Sequence, residues 1–234
     1  MRNTAGEPAS GPSASDPSAG PGPLGVVATR LVQAIVSVGI DGLGPWEPAV
    51  DVSRAALETS WTVEEAVGQI KTEHSRLAAR SGFLTGLGGF VTLPVALPAN
   101  VVGFTLVGAR MAAAVASARG YDVARDDVRT AVLLTLVGGD ITGPVARLGV
   151  ARPGQLTQAA LGELDAGSLA LLNRAVAFRL LVLVGRRGMA RLGRAIPLAG
   201  GMAGAGLDAW GLRRVAAETD RVFPPRAPSR RELD

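Results

Sequence analysis

The chain has 234 residues, of which 47% are hydrophobic and 19% charged, and its formal net charge is +4. The charged fraction is below the roughly 25% of typical soluble domains, so the composition lies between those of soluble and membrane proteins. No cysteine and only one histidine occur, which excludes a disulfide framework, a thiol nucleophile and a Cys- or His-rich metal site. We therefore expect no metal ion and no cofactor.

The two ends of the chain differ in composition from its centre. Residues 1–23 are rich in Pro, Gly, Ser and Ala and carry few apolar side chains, which predicts a disordered tail. Residues 224–234 form a second predicted tail. Between them, residues 24–223 contain no run of alternating apolar and polar residues. This pattern predicts an all-α fold with a single helical domain and no sheet.

Three helices are predicted in the first third of the domain. The apolar stretch from Leu24 to Ile40 reads as a helix packed on the core, because it is short and the breaker Gly42-Leu43-Gly44-Pro45 follows it. A second short helix is predicted from Ala49 to Ser60. The third begins at Thr62, where Thr62-Val63-Glu64-Glu65 fits a capping box.

The domain is organised around an uncharged stretch of 29 residues from Ser81 to Ala109. One continuous helix of this length would exceed the roughly 20 apolar residues that span a bilayer. Several glycines and two prolines disfavour a continuous helix. We predict a helix ending near Gly86, a proline-bent crossover at Pro94 and a second helix starting near Pro98. The result would be a Gly/Pro-bent apolar helical hairpin.

The remaining helices follow from the same kind of signals. The second arm of the hairpin is expected to end near Arg119, where Gly120 closes it. A helix from Val123 to Val137 follows, with acidic residues near its start, where they suit the helix dipole. A long helix is predicted from Gly167 to Gly185, and a final helix runs from Pro197 to about Phe223.

Two pairs of glycines are candidates for close helix packing. Gly82 and Gly86 are four residues apart, and so are Gly200 and Gly204 on the final helix. Small residues at this spacing lie on one face and let two helix backbones approach closely. We predict that these two glycine faces pack together.

A polar core cluster is predicted next to these glycines. Asp208 lies four residues beyond Gly204 and should point inward, where a carboxylate is costly unless it is paired or protonated. Arg110 is the expected partner because it is the lone charge in its helix. Thr85 and Asn173 could add hydrogen bonds. The cluster is either a structural latch or a small polar site inside an apolar bundle.

The segment from Arg174 to Arg194 is basic and apolar and contains no acidic residue. Each cation near an anionic lipid contributes about 1 kcal/mol to membrane binding, so this segment is a candidate membrane-surface element. A solvated arginine face on a core helix is the alternative. Nucleic-acid binding is disfavoured, because aromatic residues make up only 4% of the chain and no recognised module is visible. The candidate membrane-surface residues are Arg179, Arg186, Arg187, Arg191 and Arg194.

Two blocks of sequence carry a family resemblance. The first runs from Ala79 to Pro94, with a TGLGG turn and a TLP string, and continues to Leu97-Pro98 and to Arg119-Gly120-Tyr121-Asp122. The second contains Asn173, the string from Ile196 to Gly201, Gly204 and Asp208, and ends at Phe223. Over about residues 28–223, these motifs resemble the EcsC protein family. The resemblance implies a helical, membrane-associated bacterial protein without an established reaction. The founding member is encoded beside an ABC transporter, which makes a membrane transport complex a candidate partner.

The sequence therefore predicts a non-enzymatic protein at the cytoplasmic face of a membrane, with anionic lipid as its partner. Attachment would be peripheral or through an inserted hairpin. One alternative is a lipid-modifying, hydrolase-like enzyme that uses the polar core cluster, and another is a soluble adaptor for a transporter. His74 lies beside Glu73 and Arg76 in the sequence, so we interpret it as a surface histidine rather than a general base.

Overall fold

The computed structural model describes residues 23–87, 89–137 and 197–226. Within these ranges the chain forms helices and no strands, which confirms the predicted all-α fold class. The helix predicted from Gly167 to Gly185, and the predicted tails apart from residues 23 and 224–226, lie outside the described residues. The described helices are α1 (Pro23–Asp41), α2 (Ala49–Thr59), α3 (Val63–Leu87), α4 (Gly89–Ala118), α5 (Asp126–Val137) and α6 (Pro197–Val222).

Helix α3 packs against both α4 and α6 and is antiparallel to both, and α4 and α6 also contact each other. Towards the end of α3, Ser81 faces Gly103 of α4, where an added Cβ would lie 3.7 Å from the Ser81 hydroxyl oxygen. Towards its start, Glu64 binds Arg119, just beyond the end of α4. The contact between α3 and α6 is the most extensive between any two described helices. The end of α3 therefore lies beside the starts of α4 and α6, and the start of α3 lies beside their ends.

The second half of α4 is buried on every side. Helices α1, α2, α3, α5 and α6 all contact α4. A helix that is apolar all round is stable only when its whole surface is covered, and small side chains let neighbouring helices approach closely. Burial thus explains the missing charges at the end of the uncharged stretch. The fully buried residues of this half are Ala109, Met111, Ala112, Ala113, Ala114, Val115 and Ala116.

The apolar hairpin differs from the prediction in its second arm. Helix α3 ends at Leu87, one residue past the predicted end near Gly86, but α4 begins at Gly89 rather than near Pro98. The helix therefore continues through Pro94 and Pro98. Each proline removes one backbone donor. Two missing donors are a small part of the hydrogen-bond ladder of a 30-residue helix, so the prolines do not end it.

Short-range signals place most other helix ends correctly. The breaker after α1 uses Gly42 at φ 76° and Gly44 at φ 59°, in the left-handed region that favours glycine. Gly120, at φ 79°, follows the end of α4 as predicted. Helix α5 begins at Asp126, three residues later than predicted, and the Asp122 carboxylate accepts a hydrogen bond from the Ala124 amide at 3.0 Å in the turn before it.

The capping box at the start of α3 is present with one shift. The Glu65 amide donates to the Thr62 hydroxyl at 3.1 Å, as expected. The Glu65 carboxylate accepts a hydrogen bond at 3.0 Å from the amide of Trp61 rather than from that of Thr62. The cap therefore satisfies two amides and fixes where α3 begins.

Candidate functional site

Helices α3 and α6 meet backbone to backbone at two glycines. A Cβ added to Gly82 would lie 2.7 Å from the carbonyl oxygen of Gly204, and a Cβ added to Gly204 would overlap the carbonyl oxygen of Gly82. Only glycine fits on either side of this crossing. The predicted approach of the two glycine faces is thus found at Gly82 and Gly204. The surroundings of Gly86 and Gly200 lie outside what the structure describes.

Asp208 lies one turn beyond this crossing and points into the bundle, as its spacing predicts. Its side chain is buried, and its carboxylate occupies the space that a Cβ on Gly82 would need. It borders a small internal cavity between α3, α4 and α6 together with Ser81 and Phe104. The carboxylate is therefore part of the packing at the crossing and has little room for a ligand.

The predicted ion pair between Asp208 and Arg110 is wrong. The Arg110 guanidinium lies 3.5 Å from the Glu47 carboxylate and 5.5 Å over the Trp46 ring, both in the loop between α1 and α2. Asp208 is level with Gly103, and seven helical residues place Arg110 about 10 Å further along α4. The Thr85 side chain and the whole of Asn173, the other expected members of the polar core cluster, lie outside the described residues.

His74 is buried, although we expected it at the surface. Helices α2 and α4 both pack on α3 and cover this face, which leaves 5% of the residue exposed. Its Nδ1 donates to the Ile70 carbonyl at 2.8 Å. Burial lowers the pKa of His74, and the hydrogen bond to the Ile70 carbonyl partly offsets this shift; the charge of Arg110 lowers the pKa and that of Glu73 raises it, both by less. Burial likewise lowers the pKa of Arg110, partly offset by Glu47.

A cleft of about 380 Å³ opens beside His74 and Arg110, between α2, α3 and α4. A hydrolase that works by nucleophilic catalysis needs a nucleophile held by a general base. Within the described residues, His74 forms no hydrogen bond to a hydroxyl or a carboxylate, and no acidic or histidine cluster is placed to hold a metal ion. The cleft thus lacks the paired groups that would favour the hydrolase-like alternative. Its remaining polar lining residues are Glu47, Thr59, Gln69 and Glu73.

Large apolar side chains are exposed together at one end of the bundle. The antiparallel alignment brings the end of α3, the first half of α4 and the start of α6 to this end. Leu84 is 68% exposed and Met202 is 73% exposed. No charged residue occurs in α4 before Arg110 or in α6 before Asp208. We call this surface the apolar pole; its described members are Phe83, Leu84, Val102, Met202 and Leu207.

An aromatic ring and two cations lie next to the apolar pole on α3 and α6. On α6, the exposed Trp210 comes after Leu207, and Arg214 stacks on its ring at 5.1 Å. On α3, the exposed Arg80 precedes Phe83 by three residues. An apolar end, then an aromatic ring, then cations is the order found where a protein enters the interface of a bilayer.

Within the part of the chain that the structure describes, no helix combines the length and the hydropathy of a membrane-spanning segment. The basic segment from Arg174 to Arg194, with its five candidate membrane-surface arginines, lies outside the described residues. Sequence reasoning missed Met202 and Trp210, although their eight-residue spacing places both on one side of α6.

Comparison with protein-family models, with curated proteins and with solved structures finds no match to this chain. The resemblance to the EcsC family therefore stays a prediction that depends on the two blocks of motifs.

Proposed function

We propose that this protein is a non-enzymatic, membrane-associated protein that seats its apolar pole in the surface of a lipid bilayer. The observation that carries the proposal is the exposure of Leu84 and Met202 at the end of the bundle where the starts of α4 and α6 carry no charged residue. Contiguous exposed apolar surface on a folded protein marks a site of contact with a membrane or another protein. The aromatic ring of Trp210 and the arginines behind the pole favour a membrane over a protein partner.

The energetics of the pole suit reversible attachment. Fully burying one large apolar side chain contributes roughly 1.5–3 kcal/mol, and the pole offers five that are partly or largely exposed. Cations near an anionic membrane add about 1 kcal/mol each. Arg80 and Arg214 are both exposed and close behind the pole. Together these terms give peripheral binding to anionic lipid without a spanning helix.

The place of action and the partner follow from the same chemistry. The cytoplasmic leaflet carries anionic lipids that attract basic surfaces, so we place the protein at the cytoplasmic face of a membrane. The resemblance to the EcsC family and the basic segment from Arg174 to Arg194 support this location. In the alternative function, as a soluble adaptor, a membrane transport complex would cover the same pole.

Vesicle flotation tests the proposal. We expect the protein to float with anionic vesicles, and the pair Leu84→Gln and Met202→Gln to abolish flotation. Trp61 is the matched control, because it is 95% exposed but lies just before α3, at the opposite end of the bundle. Trp61→Gln should float like the original protein. A protein that ignores anionic vesicles, or a control that fails equally, contradicts membrane seating and leaves the adaptor function.

A further inference from the structure

A groove of about 540 Å³ runs between α3 and α6 on the surface behind the apolar pole. Its floor is made of alanines, whose small side chains leave a trough between the two helices. Its rim is mostly polar and carries three cations against one carboxylate. The floor residues are Ala79, Ala209 and Ala216, and the rim residues are Lys71, Thr72, Ser75, Arg76, Arg213, Asp220 and the exposed Ala217.

Two of the three cations are available for a ligand. Asp220 already pairs with Lys71 and also with Arg119, which lies 3.0 Å away. The carboxylate is therefore held by two cations of the protein. Arg76 and Arg213 are exposed on facing helices and have no ion-pair partner within the described residues. An anion in the groove would meet both guanidinium groups without competing with Asp220.

Ser75 adds a neutral donor to this cationic pair. Its side chain is half-buried at the rim of the groove, and its hydroxyl has no hydrogen-bond partner in residues 23–87, 89–137 and 197–226. Thr72, by contrast, already donates to the Gly68 carbonyl at 2.8 Å. Two guanidinium groups and a hydroxyl together suit the tetrahedral oxygens of a phosphate, which arginine binds with paired donors.

The distance of the groove from the apolar pole matches the layers of a bilayer. Arg76 precedes Leu84 by eight residues, or about 12 Å along α3, and Arg213 follows Leu207 by six residues, or about 9 Å along α6. An amphipathic surface buries its apolar side about 5–10 Å into the boundary between headgroups and acyl chains. When the pole is seated at this depth, the two arginines lie at the level of the phosphates.

We propose that the groove binds the phosphate of an anionic glycerophospholipid, clamped between Arg76 and Arg213 with a hydrogen bond from Ser75. This inference rests on the proposed membrane seating and adds a specific lipid class to it. The alanine floor leads towards the pole and accommodates the apolar glycerol ester region of the same lipid. A free phosphate ion would use the arginines but would gain nothing from the floor or from the pole.

The test compares two double variants of equal charge on two kinds of vesicle. Arg76→Gln with Arg213→Gln removes the clamp, whereas Arg54→Gln with Arg221→Gln removes two exposed arginines that pair with acids outside the groove. Flotation is measured with phosphatidylcholine vesicles with and without phosphatidylglycerol. We expect the clamp variant to lose about thirtyfold in affinity for the anionic vesicles, and the control to lose less than about threefold. Arg76→Lys with Arg213→Lys should restore part of the affinity.

The possible outcomes separate this inference from the proposed function. Unchanged affinity in the clamp variant, or equal losses in both variants, overturns the phosphate site while the original protein still floats. A protein that ignores all vesicles overturns the site together with the proposed function. If the original protein binds inorganic phosphate through Arg76 but ignores vesicles, the ligand is a free anion and the lipid assignment is wrong. Both pairs are exposed, and an unchanged urea midpoint shows that each variant is folded.

Discussion

Arg119, just beyond the end of α4, holds Glu64 of α3 with two parallel hydrogen bonds, from Nε at 3.0 Å and from Nη2 at 2.7 Å. Its Nη1 donates to the Phe223 carbonyl at 2.7 Å, at the end of α6. The arginine side chain is 3% exposed. The hydrogen bond from Arg119 lowers the pKa of Glu64, which keeps this carboxylate ionised. One guanidinium group thus joins the three central helices at the end of the bundle opposite the apolar pole.

Replacing this arginine should destabilise the fold strongly. We expect Arg119→Gln to lower the free energy of unfolding by about 2–3 kcal/mol, because the buried guanidinium loses its hydrogen bonds to Glu64 and to the Phe223 carbonyl. Arg125→Gln is the matched control, since Arg125 is 62% exposed in its pair with Asp127 and should change the stability much less. Urea unfolding measures both values. Similar losses in the two variants would contradict a joining role for Arg119.

The close contact between Gly82 and Gly204 predicts opposite effects of the same substitution at two glycines of α6. Gly204→Ala should lower the free energy of unfolding by about 3 kcal/mol, because the new Cβ overlaps the Gly82 backbone and forces the helices apart. Gly206 lies two residues further along α6, and a Cβ added there meets no atom within 4 Å. Gly206→Ala should therefore stabilise the helix by up to about 1 kcal/mol. Thermal unfolding followed by circular dichroism should show opposite shifts, and a loss of stability in both would argue against the crossing.

The buried histidine predicts a pH dependence of stability. Burial keeps the pKa of His74 below that of the unfolded chain, which is about 6.5. Below that pH the unfolded state binds more protons than the folded state, so the free energy of unfolding falls as the pH decreases. The loss of stability should occur between about pH 7.5 and pH 5.5, where the histidine of the unfolded chain takes up its proton.

The chain contains no other histidine, so a single variant tests this pH dependence. His74→Asn can still donate to the Ile70 carbonyl but does not titrate. We expect its stability, measured by urea unfolding, to change little over the same pH interval. A variant that loses as much stability as the original protein would assign the pH dependence to another group.

Tryptophan fluorescence can locate the lipid contact. If the apolar pole is seated in a bilayer, Trp210 lies at the interface, and lipids brominated near the top of the acyl chain should quench it. Trp61, at the opposite end of the bundle, should keep its emission. Trp210→Phe should remove most of the quenching, whereas Trp61→Phe should leave it unchanged. Equal quenching in the two variants would place the membrane contact elsewhere.

The sequence determined the features that depend on a few neighbouring residues. The all-α class, the capping hydroxyl of Thr62 and the left-handed glycines at Gly42 and Gly120 were all predictable, because each depends on residues within about one turn. The approach of Gly82 and Gly204 was also predictable, because glycines four residues apart lie on one helix face and let a second helix backbone come close. These signals are local, and the chain carries them whatever packs around it.

Partners along the long helices could not be predicted in the same way. Arg110 pairs with Glu47 rather than Asp208, and His74 is buried, because the antiparallel packing of α3, α4 and α6 decides which residues share a level. Two residues that lie two turns apart on α4 are about 10 Å apart along the helix axis, so only one of them can contact a given residue of a neighbouring helix. The continuation of α4 through Pro94 and Pro98 likewise depends on the whole helix rather than on each proline.

The sequence alone determined that burial of the stretch from Ser81 to Ala109 would be favourable, because the hydrophobicity of a side chain depends only on its residue type. The tertiary structure decided which neighbours remove that surface from water. Five helices cover the second half of α4, so Val107 and Ala109 are buried, whereas no described helix covers Leu84 at the other end. Burial depends on the packing of distant segments, and this packing leaves the apolar pole exposed.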